Sequence, residues 1–220
     1  MRKGFLVTGG ASFIGSHLTA RLLAEGGGVR VLDNFSTGSL ANLPAAGAES
    51  AKLEIIRGDI RDLGAVERAA AGTTAIFHQA AMRSVPRSVA DPLGANEHNV
   101  TGTLHVFEAA RRAGVRRVVY ASSSSVYGDR PELPKQEDQA PAPIYGGGGG
   151  RTSLLEIIAR LETILGRAIE RRHTPSRAGD VPHTLADVSK AKRLLGYTPL
   201  VGFDEGLART VDYFRSIHED

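Results

Sequence analysis

The sequence predicts an α/β fold with a doubly wound parallel sheet, and three observations support this prediction. Short apolar runs alternate with segments of helical periodicity over about the first 125 residues. A glycine-rich turn joins the first apolar run to the first helical segment, and an acidic residue ends the second run. Strands that alternate with helices are joined by right-handed crossovers, which place helices on both faces of a parallel sheet.

The elements follow one another in a regular order. Buried strands are predicted at residues 4–8, 29–33, 53–57, 74–78 and 117–122. Helices between them are predicted at residues 13–25, 63–71 and about 96–113. A stretch rich in Pro, Asp and Glu at residues 128–143 is predicted to be a loop, and three more helices are predicted at about 153–165, 185–195 and 203–217.

The composition excludes several classes of protein. The chain has 220 residues, of which 41% are hydrophobic and 23% charged, values typical of globular domains and unlike those of disordered chains. It has no cysteine, which excludes disulfides and thiolate metal sites, and no metal site is predicted. The net charge of +3 is spread over short clusters and aromatics reach only 5%, so no nucleic-acid partner is expected. Since no apolar stretch reaches membrane-spanning length, we expect a cytoplasmic protein without a membrane partner.

The turn after the first strand has the pattern of a dinucleotide site. It reads TGGASFIG at residues 8–15, and Asp33 stands 18 residues after Gly15, at the end of the second predicted strand. Glycines let the backbone approach a pyrophosphate, and the N-terminus of the following helix supplies N–H donors and positive potential. An acid at the end of the second strand accepts from a ribose 2′-hydroxyl and repels a 2′-phosphate. The sequence therefore predicts NAD as the cofactor rather than NADP.

Further motifs follow in order: DNFSTG at 33–38, GDI at 58–60, HQAA at 78–81, SVPRS at 84–88 and NVTGT at 99–103. Together with the turn, they resemble the extended short-chain dehydrogenase/reductases, and most of all the nucleotide-sugar 4-epimerases typified by UDP-glucose 4-epimerase. The resemblance implies a Rossmann-type sheet. In this chain Ser12 replaces the middle glycine of the family's turn, and we expect its Cβ to crowd the pyrophosphate and weaken NAD binding.

The resemblance also implies which residues bind. Those expected to contact NAD are Gly9, Ser12, Phe13, Ile14, Gly15, Asp33, Asn34, Ser36, Thr37, Gly38, Asp59, Ile60, Gln79, Ala80, Ala81, Asn99, Ser122 and Tyr145. Those expected to contact the sugar nucleotide are Ser84 and Val85, in what we predict to be a loop, and Arg177 and Asp180 in an RAGD segment. A guanidinium suits a diphosphate, and an aspartate suits a ribose diol.

The catalytic group is incomplete. The resemblance assigns Ser123 and Tyr145 to catalysis, with the tyrosine as the base of a Tyr-x-x-x-Lys motif. A free phenol has a pKa of about 10, and a lysine one helical turn away lowers it toward neutrality. Here the lysine position is Gly149, inside the five glycines of residues 146–150. Glycine disfavours a helix by about 1 kcal/mol per residue, so the helix is not expected to form there.

These observations predict three parts: an NAD-binding domain at residues 1–145, a glycine connector at 146–150, and a truncated helical substrate lobe at 151–220. The family's segment between the tyrosine and the resumed match at Arg151 is missing. The glycines are either an engineered bridge across a deletion or a placeholder for residues absent from the sequence.

The implied activity is NAD-dependent epimerisation at C4 of a UDP-sugar, impaired by the missing lysine and substrate segment. Two alternatives stay open: a non-catalytic NAD-binding chain, and a nucleotide-sugar 4,6-dehydratase, which is disfavoured because serines around Ser123 replace that enzyme's Thr-Asp-Glu triplet. The motifs do not separate a UDP-glucose from a UDP-N-acetylglucosamine epimerase. A homodimer is usual in the family but doubtful here, because one of its two interface helices would begin at Tyr145.

Overall fold

The computed structural model describes residues 4–44, 52–123, 126, 136, 154–172 and 186–216. The chain divides into two compact units, Met1–Ser122 and Ser123–Asp220. The domain boundary that we predict at residue 145, like the glycine connector, lies outside the described residues and stays a prediction.

The first unit is built on a five-stranded sheet. Its strands are β1 (Gly4–Thr8), β2 (Gly28–Asp33), β3 (Leu53–Arg57), β4 (Ala75–His78) and β5 (Arg117–Tyr120). They lie in the order β3-β2-β1-β4-β5, and all four neighbouring pairs are parallel. The Rossmann-type parallel sheet expected from the alternation of strands and helices is therefore confirmed.

Helices cover both faces of this sheet. They are α1 (Phe13–Ala24), α2 (Leu63–Ala70), α3 (Val85–Ala90), α4 (Pro92–Asn96) and α5 (Gly102–Arg112). Successive strand residues point to opposite faces, so Leu6 packs with Val66 and Val106 of α2 and α5, whereas Val7 packs with Leu22 and Leu23 of α1. Both faces of β1 are buried, which explains why its sequence is an apolar run instead of an alternating pattern.

Two predicted elements are corrected. Residues 84–88, predicted as a loop, are the start of α3: the Ser84 hydroxyl accepts from the Arg87 N–H at 3.3 Å, and Pro86 is tolerated in the first turn because that turn needs no N–H donor. The helix predicted from residue 96 begins earlier, with α4, and passes through a π-helical segment, Glu97–Thr101, before α5.

The second unit contains α6 (Leu154–Leu165), α7 (Ser189–Leu195) and α8 (Phe203–Ser216). Helices α6 and α8 meet through Arg160, which pairs with Asp204 and lies 5.5 Å from the centre of the Phe203 ring. None of residues 155–172 and 186–216 is buried. The three predicted helices are thus present, although α7 begins at Ser189 instead of about residue 185, and the described part of this unit has no buried core. No helix among the described residues has the length and apolarity needed to cross a membrane.

Candidate cofactor-binding cleft

A cleft of about 330 Å³ opens in the first unit at the carboxyl ends of the strands. Its walls come from the turn after β1, the loops after β2 and β3, and the segment that follows β4. In open parallel sheets, ligands bind outside the carboxyl ends of strands where the strand order reverses. This reversal lies between β1 and β4, next to the cleft.

Glycines are required where the turn after β1 meets its neighbours. Gly9 has a φ of 69°, and a Cβ on it would lie 2.8 Å from the backbone N of Ala80. A Cβ on Gly15 would lie 2.1 Å from the Gly9 carbonyl oxygen. Any side chain at either position would therefore push the turn away from the sheet or from the start of α1. This close packing brings the N-terminus of α1 to the cleft.

Ser12 sits at the N-cap of α1 in an unusual way. An N-cap serine ordinarily accepts from an N–H of the first helical turn. The Ser12 side chain makes no such bond, and its hydroxyl instead donates to the Gly9 carbonyl at 2.6 Å. The backbone of Ser12 has a φ of −83°, so the conformation itself does not call for glycine. The serine thus closes the turn without occupying the N–H groups that open α1.

Asp33 ends β2 with a buried carboxylate that is only 7% exposed. One oxygen accepts from the Ala11 N–H at 2.9 Å, and the other accepts from the Phe35 N–H at 2.8 Å. These two bonds fix the carboxylate beside the glycine turn, and each oxygen keeps a lone pair for a further donor. Asp33 is therefore a built feature of the cleft rather than an incidental surface acid.

Asp59 anchors the next loop. Its carboxylate accepts from Asn34 Nδ2 at 2.9 Å and from the backbone and guanidinium N–H groups of Arg61. Burial by itself would raise the pKa of Asp59, but the hydrogen bonds from Arg61 and Asn34 outweigh burial and hold this pKa well below its ordinary value. Asp59 stays ionised near neutral pH and links the loops after β2 and β3.

His78, at the end of β4, fixes the opposite wall. Its ring is 1% exposed and bridges two hydroxyls, with Nδ1 at 2.7 Å from Thr8 Oγ1 and Nε2 at 3.0 Å from Thr103 Oγ1. The Ala80 N–H donates to the same Thr8 oxygen at 3.3 Å. Burial lowers the pKa of His78 to about 4, so the ring is neutral near pH 7. Sequence reasoning did not select this histidine.

Asn99 holds the same wall from the π-helical segment. Its Oδ1 accepts from the Met82 N–H at 2.8 Å, and its Nδ2 donates to the Met82 carbonyl at 3.0 Å. The side-chain amide thus pairs with both backbone groups of one residue. The contact of Asn99 with a cofactor stays a prediction, whereas its role in positioning the segment after β4 is directly visible.

Most of the chain matches a known family. Residues 5–147 match the model of the NAD dependent epimerase/dehydratase family. The chain belongs to this family. The match ends inside the glycine run of residues 146–150. The prediction of an NAD-linked enzyme family is therefore confirmed at the level of the family.

Two related proteins support this family membership. UDP-glucose 4-epimerase of Mycolicibacterium smegmatis is 32% identical over 308 aligned positions, which include 96% of this chain and 98% of that protein. Since this chain has 220 residues, at least 88 of those positions have no residue here. UDP-glucose 4-epimerase of Neisseria meningitidis serogroup C is 37% identical over 159 residues, and there the chain spans about half of the relative, 47%.

Two crystal structures show the same fold. UDP-glucose 4-epimerase of Thermotoga maritima, solved with UDP-glucose, is 25% identical and superposes with a TM-score of 0.83 over 98% of this chain and 100% of that one. UDP-glucose 4-epimerase of Thermus thermophilus, solved with NAD, is 26% identical with a TM-score of 0.80 over 96% of this chain and 99% of that one. The recognised resemblance to nucleotide-sugar epimerases is thereby confirmed.

Many of the residues that were predicted to contact NAD lie together in the cleft. Those that line the cleft are Gly9, Ser12, Asp33, Asn34, Ser36, Thr37, Ile60, Gln79, Ala80 and Ala81. The other predicted residues of this part of the chain are not among its lining residues: Phe13, Ile14, Gly15, Gly38, Asp59, Asn99, Ser122, and the catalytic candidate Ser123.

The remaining predictions lie elsewhere. Phe13 and Ile14 are exposed at the start of α1, and a Cβ on Gly38 would lie 2.8 Å from the Ala11 carbonyl, so Gly38 packs against the turn. Ser122 and Ser123 are exposed just after β5. Ser84 caps α3 and Val85 begins it. Tyr145, Gly149, Arg177 and Asp180 lie outside the described residues.

Four basic or titratable side chains line the cleft although sequence reasoning did not select them: Arg61, Arg83, Arg87 and His98. Arg83 and Arg87 are exposed, and neither guanidinium forms an ion pair with a described residue. One available signal was the placement of Arg83 directly before the SVPRS motif and of Arg87 within it, four residues further along the chain. Two cations on the wall of a cleft that ends at a helix N-terminus suit a diphosphate.

Proposed function

We propose that this chain binds NAD in the cleft of its first unit. We also propose that the enzyme from which it derives catalyses 4-epimerisation of a UDP-sugar. One observation carries the proposal: the glycine turn with its helix N-terminus and the buried Asp33 carboxylate face the same cleft. These are the two groups that recognise the pyrophosphate and the ribose hydroxyls of NAD. Family membership supports the same cofactor.

Different residues of the cleft are proposed to bind different parts of the cofactor. The N–H groups at the start of α1 would bind the pyrophosphate, with Arg83 of the cleft lining as a candidate cation. Asp33 would accept from the adenosine ribose. Asn34 and Ile60 of the cleft lining would contact the adenine, with Asp59 holding the Asn34 amide at 2.9 Å; a direct contact of Asp59 with the adenine stays a prediction. The small residues Ala80 and Ala81, positioned through His78 and Asn99, would let the rest of the cofactor lie against backbone.

The chemistry is proposed from the family. The cofactor supplies reversible hydride transfer at the sugar C4. Tyr145 is assigned the removal and return of the 4-hydroxyl proton, with Ser123 as a hydrogen-bonding partner. Because Gly149 stands where the lysine is expected, the Tyr145 phenol keeps its proton near neutral pH and is a poor base. We therefore propose that epimerisation by this chain is strongly impaired.

The substrate is proposed to be a UDP-sugar of the glucose and galactose type. Ser84, Val85, Arg177 and Asp180 are assigned to it, and Arg87 on the cleft wall is an additional candidate for its diphosphate. A homodimer, usual in the family, is proposed to be weak or absent here. The cytoplasm stays the proposed location.

A second candidate function is NAD binding without catalysis. It is favoured by the glycines at the place of the catalytic helix and by the lack of any buried residue in the described part of the second unit. A 4,6-dehydratase is less favoured because Ser123 and its neighbours lack the necessary acids.

The cofactor proposal is tested by fluorescence titration with NADH. Saturable binding is expected, and Asp33→Asn is expected to weaken it about tenfold, because a charge-assisted hydrogen bond becomes a neutral one. Asp212→Asn, a change of the same kind on the exposed surface of α8, is the matched control and should leave binding unchanged. If NADH at millimolar concentration does not bind, the proposal is wrong.

The catalytic proposal is tested by a coupled assay of UDP-glucose to UDP-galactose conversion. We expect a rate close to background. A rate of about 1 per second or more, ordinary for an enzyme, would contradict both the impairment and the non-catalytic alternative.

A further inference from the structure

Asp33 has a cation as its neighbour but does not pair with it. Strands β2 and β3 are parallel, and Asp33 is the register partner of Arg57. Side chains of register partners project from the same face of a sheet, and here Val29, Val31 and Leu53 of the two strands all pack on the α1 side. Arg57 therefore stands beside Asp33 on that face, at the end that opens to the cleft. No ion pair joins the two residues.

The guanidinium of Arg57 lies instead over the Phe35 ring, 5.1 Å from its centre. A cation above an aromatic face is attracted by the ring quadrupole. The ring itself is half-buried against the core cluster of Val7, Val31 and Leu43. Phe35 thus offers Arg57 an aromatic contact in place of an ion pair with Asp33.

The backbone of Phe35 is held in an unfavourable conformation to make this contact. Its φ of 57° is the only positive value at a non-glycine residue in the described chain, and a bulky side chain rarely adopts it. The Phe35 N–H donates to Asp33 Oδ1 at 2.8 Å, and the Ser36 N–H donates to Asn34 Oδ1 at 3.0 Å. Asp33 therefore holds the backbone of the residue whose ring contacts Arg57.

We infer that Phe35 is a specificity-determining residue for the cofactor, because it holds Arg57 away from the place where a 2′-phosphate would lie. This inference rests on the proposed NAD site. With Arg57 over Phe35, the Asp33 carboxylate meets the adenosine ribose as an uncompensated negative charge, which accepts from hydroxyls and repels a phosphate. With Arg57 released, one guanidinium could neutralise Asp33 or pair with the phosphate, and NADP would be less strongly rejected.

The test compares NADH and NADPH affinities by fluorescence titration. In the unaltered chain we expect NADPH to bind more weakly than NADH. In Phe35→Asn, which tolerates a positive φ but has no ring, the ratio of the NADPH to the NADH dissociation constant should fall about tenfold, the scale of one charge-assisted hydrogen bond. Adding Arg57→Gln to this variant should restore the original ratio. Phe35→Tyr, which keeps the ring, should not change it.

Each result is decisive. An unchanged ratio in Phe35→Asn, or a fallen ratio that Arg57→Gln does not restore, overturns the inference. If Phe35→Asn does not fold, as judged by circular dichroism, Phe35→Leu preserves the apolar packing without a ring and carries the same expectation. Failure of NADH to bind the unaltered chain would instead overturn the proposed function, so the two failures are distinguishable.

Discussion

Both units of this chain contain amphipathic helices, but the two units differ in how far they bury the apolar faces. In the first unit, side chains from both faces of the sheet form two apolar clusters, and residues such as Leu6, Val66 and Ile76 are completely buried. In the second, α6 and α8 are amphipathic by sequence, yet Leu155 of α6 is 57% exposed and Phe203 of α8 is 49% exposed. A helix is stabilised in a protein mainly by packing its apolar face. The comparison shows that helices can be present without a buried apolar core among the described residues of the second unit.

The largest expected effect comes from the same substitution made in each unit. Leu6→Ala removes a fully buried side chain and should lower the free energy of unfolding by about 2–5 kcal/mol, since a cavity is added to the lost transfer energy. Leu200→Ala should change it by less than about 0.5 kcal/mol. Urea denaturation followed by circular dichroism measures both. Equal losses would show that the second unit has a core of its own.

A second difference concerns the buried histidine of the first unit. Because the pKa of His78 is lowered from 6.5 to about 4 in the folded chain, the unfolded chain binds the extra proton between these values. Stability should therefore be complete above about pH 6.5 and fall by up to about 3 kcal/mol as the pH drops toward 4.

The pH dependence is measured by urea denaturation at several pH values. His78→Gln should be less stable at pH 7, because its contacts with the two threonine hydroxyls change, but should show a shallower loss between pH 6.5 and 4. His98→Gln is the comparison variant, with a partly exposed ring. A slope in His78→Gln as steep as that of the unaltered chain would contradict the prediction.

A third prediction concerns Ser12. The sequence predicts that its Cβ crowds the pyrophosphate, whereas the structure shows that its hydroxyl closes the turn by a bond to the Gly9 carbonyl. If the Cβ crowds the pyrophosphate, Ser12→Gly should tighten NADH binding by about three- to tenfold, roughly 1 kcal/mol. The hydroxyl bond to the Gly9 carbonyl opposes this, and its loss in Ser12→Ala should weaken binding by a similar factor.

The two substitutions together separate crowding from locking of the turn. Tighter binding in Ser12→Gly with no change in Ser12→Ala would mean that crowding acts alone. Fluorescence titration with NADH measures both variants against the unaltered chain. If neither variant changes the dissociation constant, Ser12 contributes nothing to the cofactor site.

The smallest effect is expected in the second unit. Arg160 joins α6 to α8 through an ion pair with Asp204 and a contact with the Phe203 ring, both at the surface. Exposed contacts of these kinds contribute about 1 kcal/mol or less. Arg160→Gln should accordingly speed amide hydrogen exchange in α6 and α8 and leave the exchange of β1 and β4 unchanged. Slower exchange in α6 would contradict this.

The sheet could be predicted from sequence because its signal is strong. Each strand is a short apolar run bounded by turn residues, and the observed bounds differ from the predicted ones by no more than two residues. Helix α3 was missed because residues 84–88 were interpreted as a loop from the resemblance, although Pro86 is compatible with a first helical turn. The π-helical segment was not predicted because one irregular turn does not visibly change the spacing of apolar residues along a helix.

The residues around the cleft also divide into those that could be predicted from the sequence and those that could not. Gly9, Gly15 and Asp33 were predictable because their residue types are required by backbone approach and charge. Phe35, Arg57 and His78 were not, because their roles depend on a positive φ, a cross-strand neighbour and a hydroxyl on a distant helix. Sequence spacing contains none of these facts.

The helix that contains Asn99 and Thr103 has a consequence for how this protein tolerates mutation. Two residues one turn apart hold the cofactor wall at separate points, Met82 and His78, while the opposite side of the helix is exposed at Leu104. A substitution that tilts this helix would loosen both attachments at once. Loss of cofactor affinity in a mutational scan would then map to residues that touch no ligand, and would trace the scaffold behind the cleft.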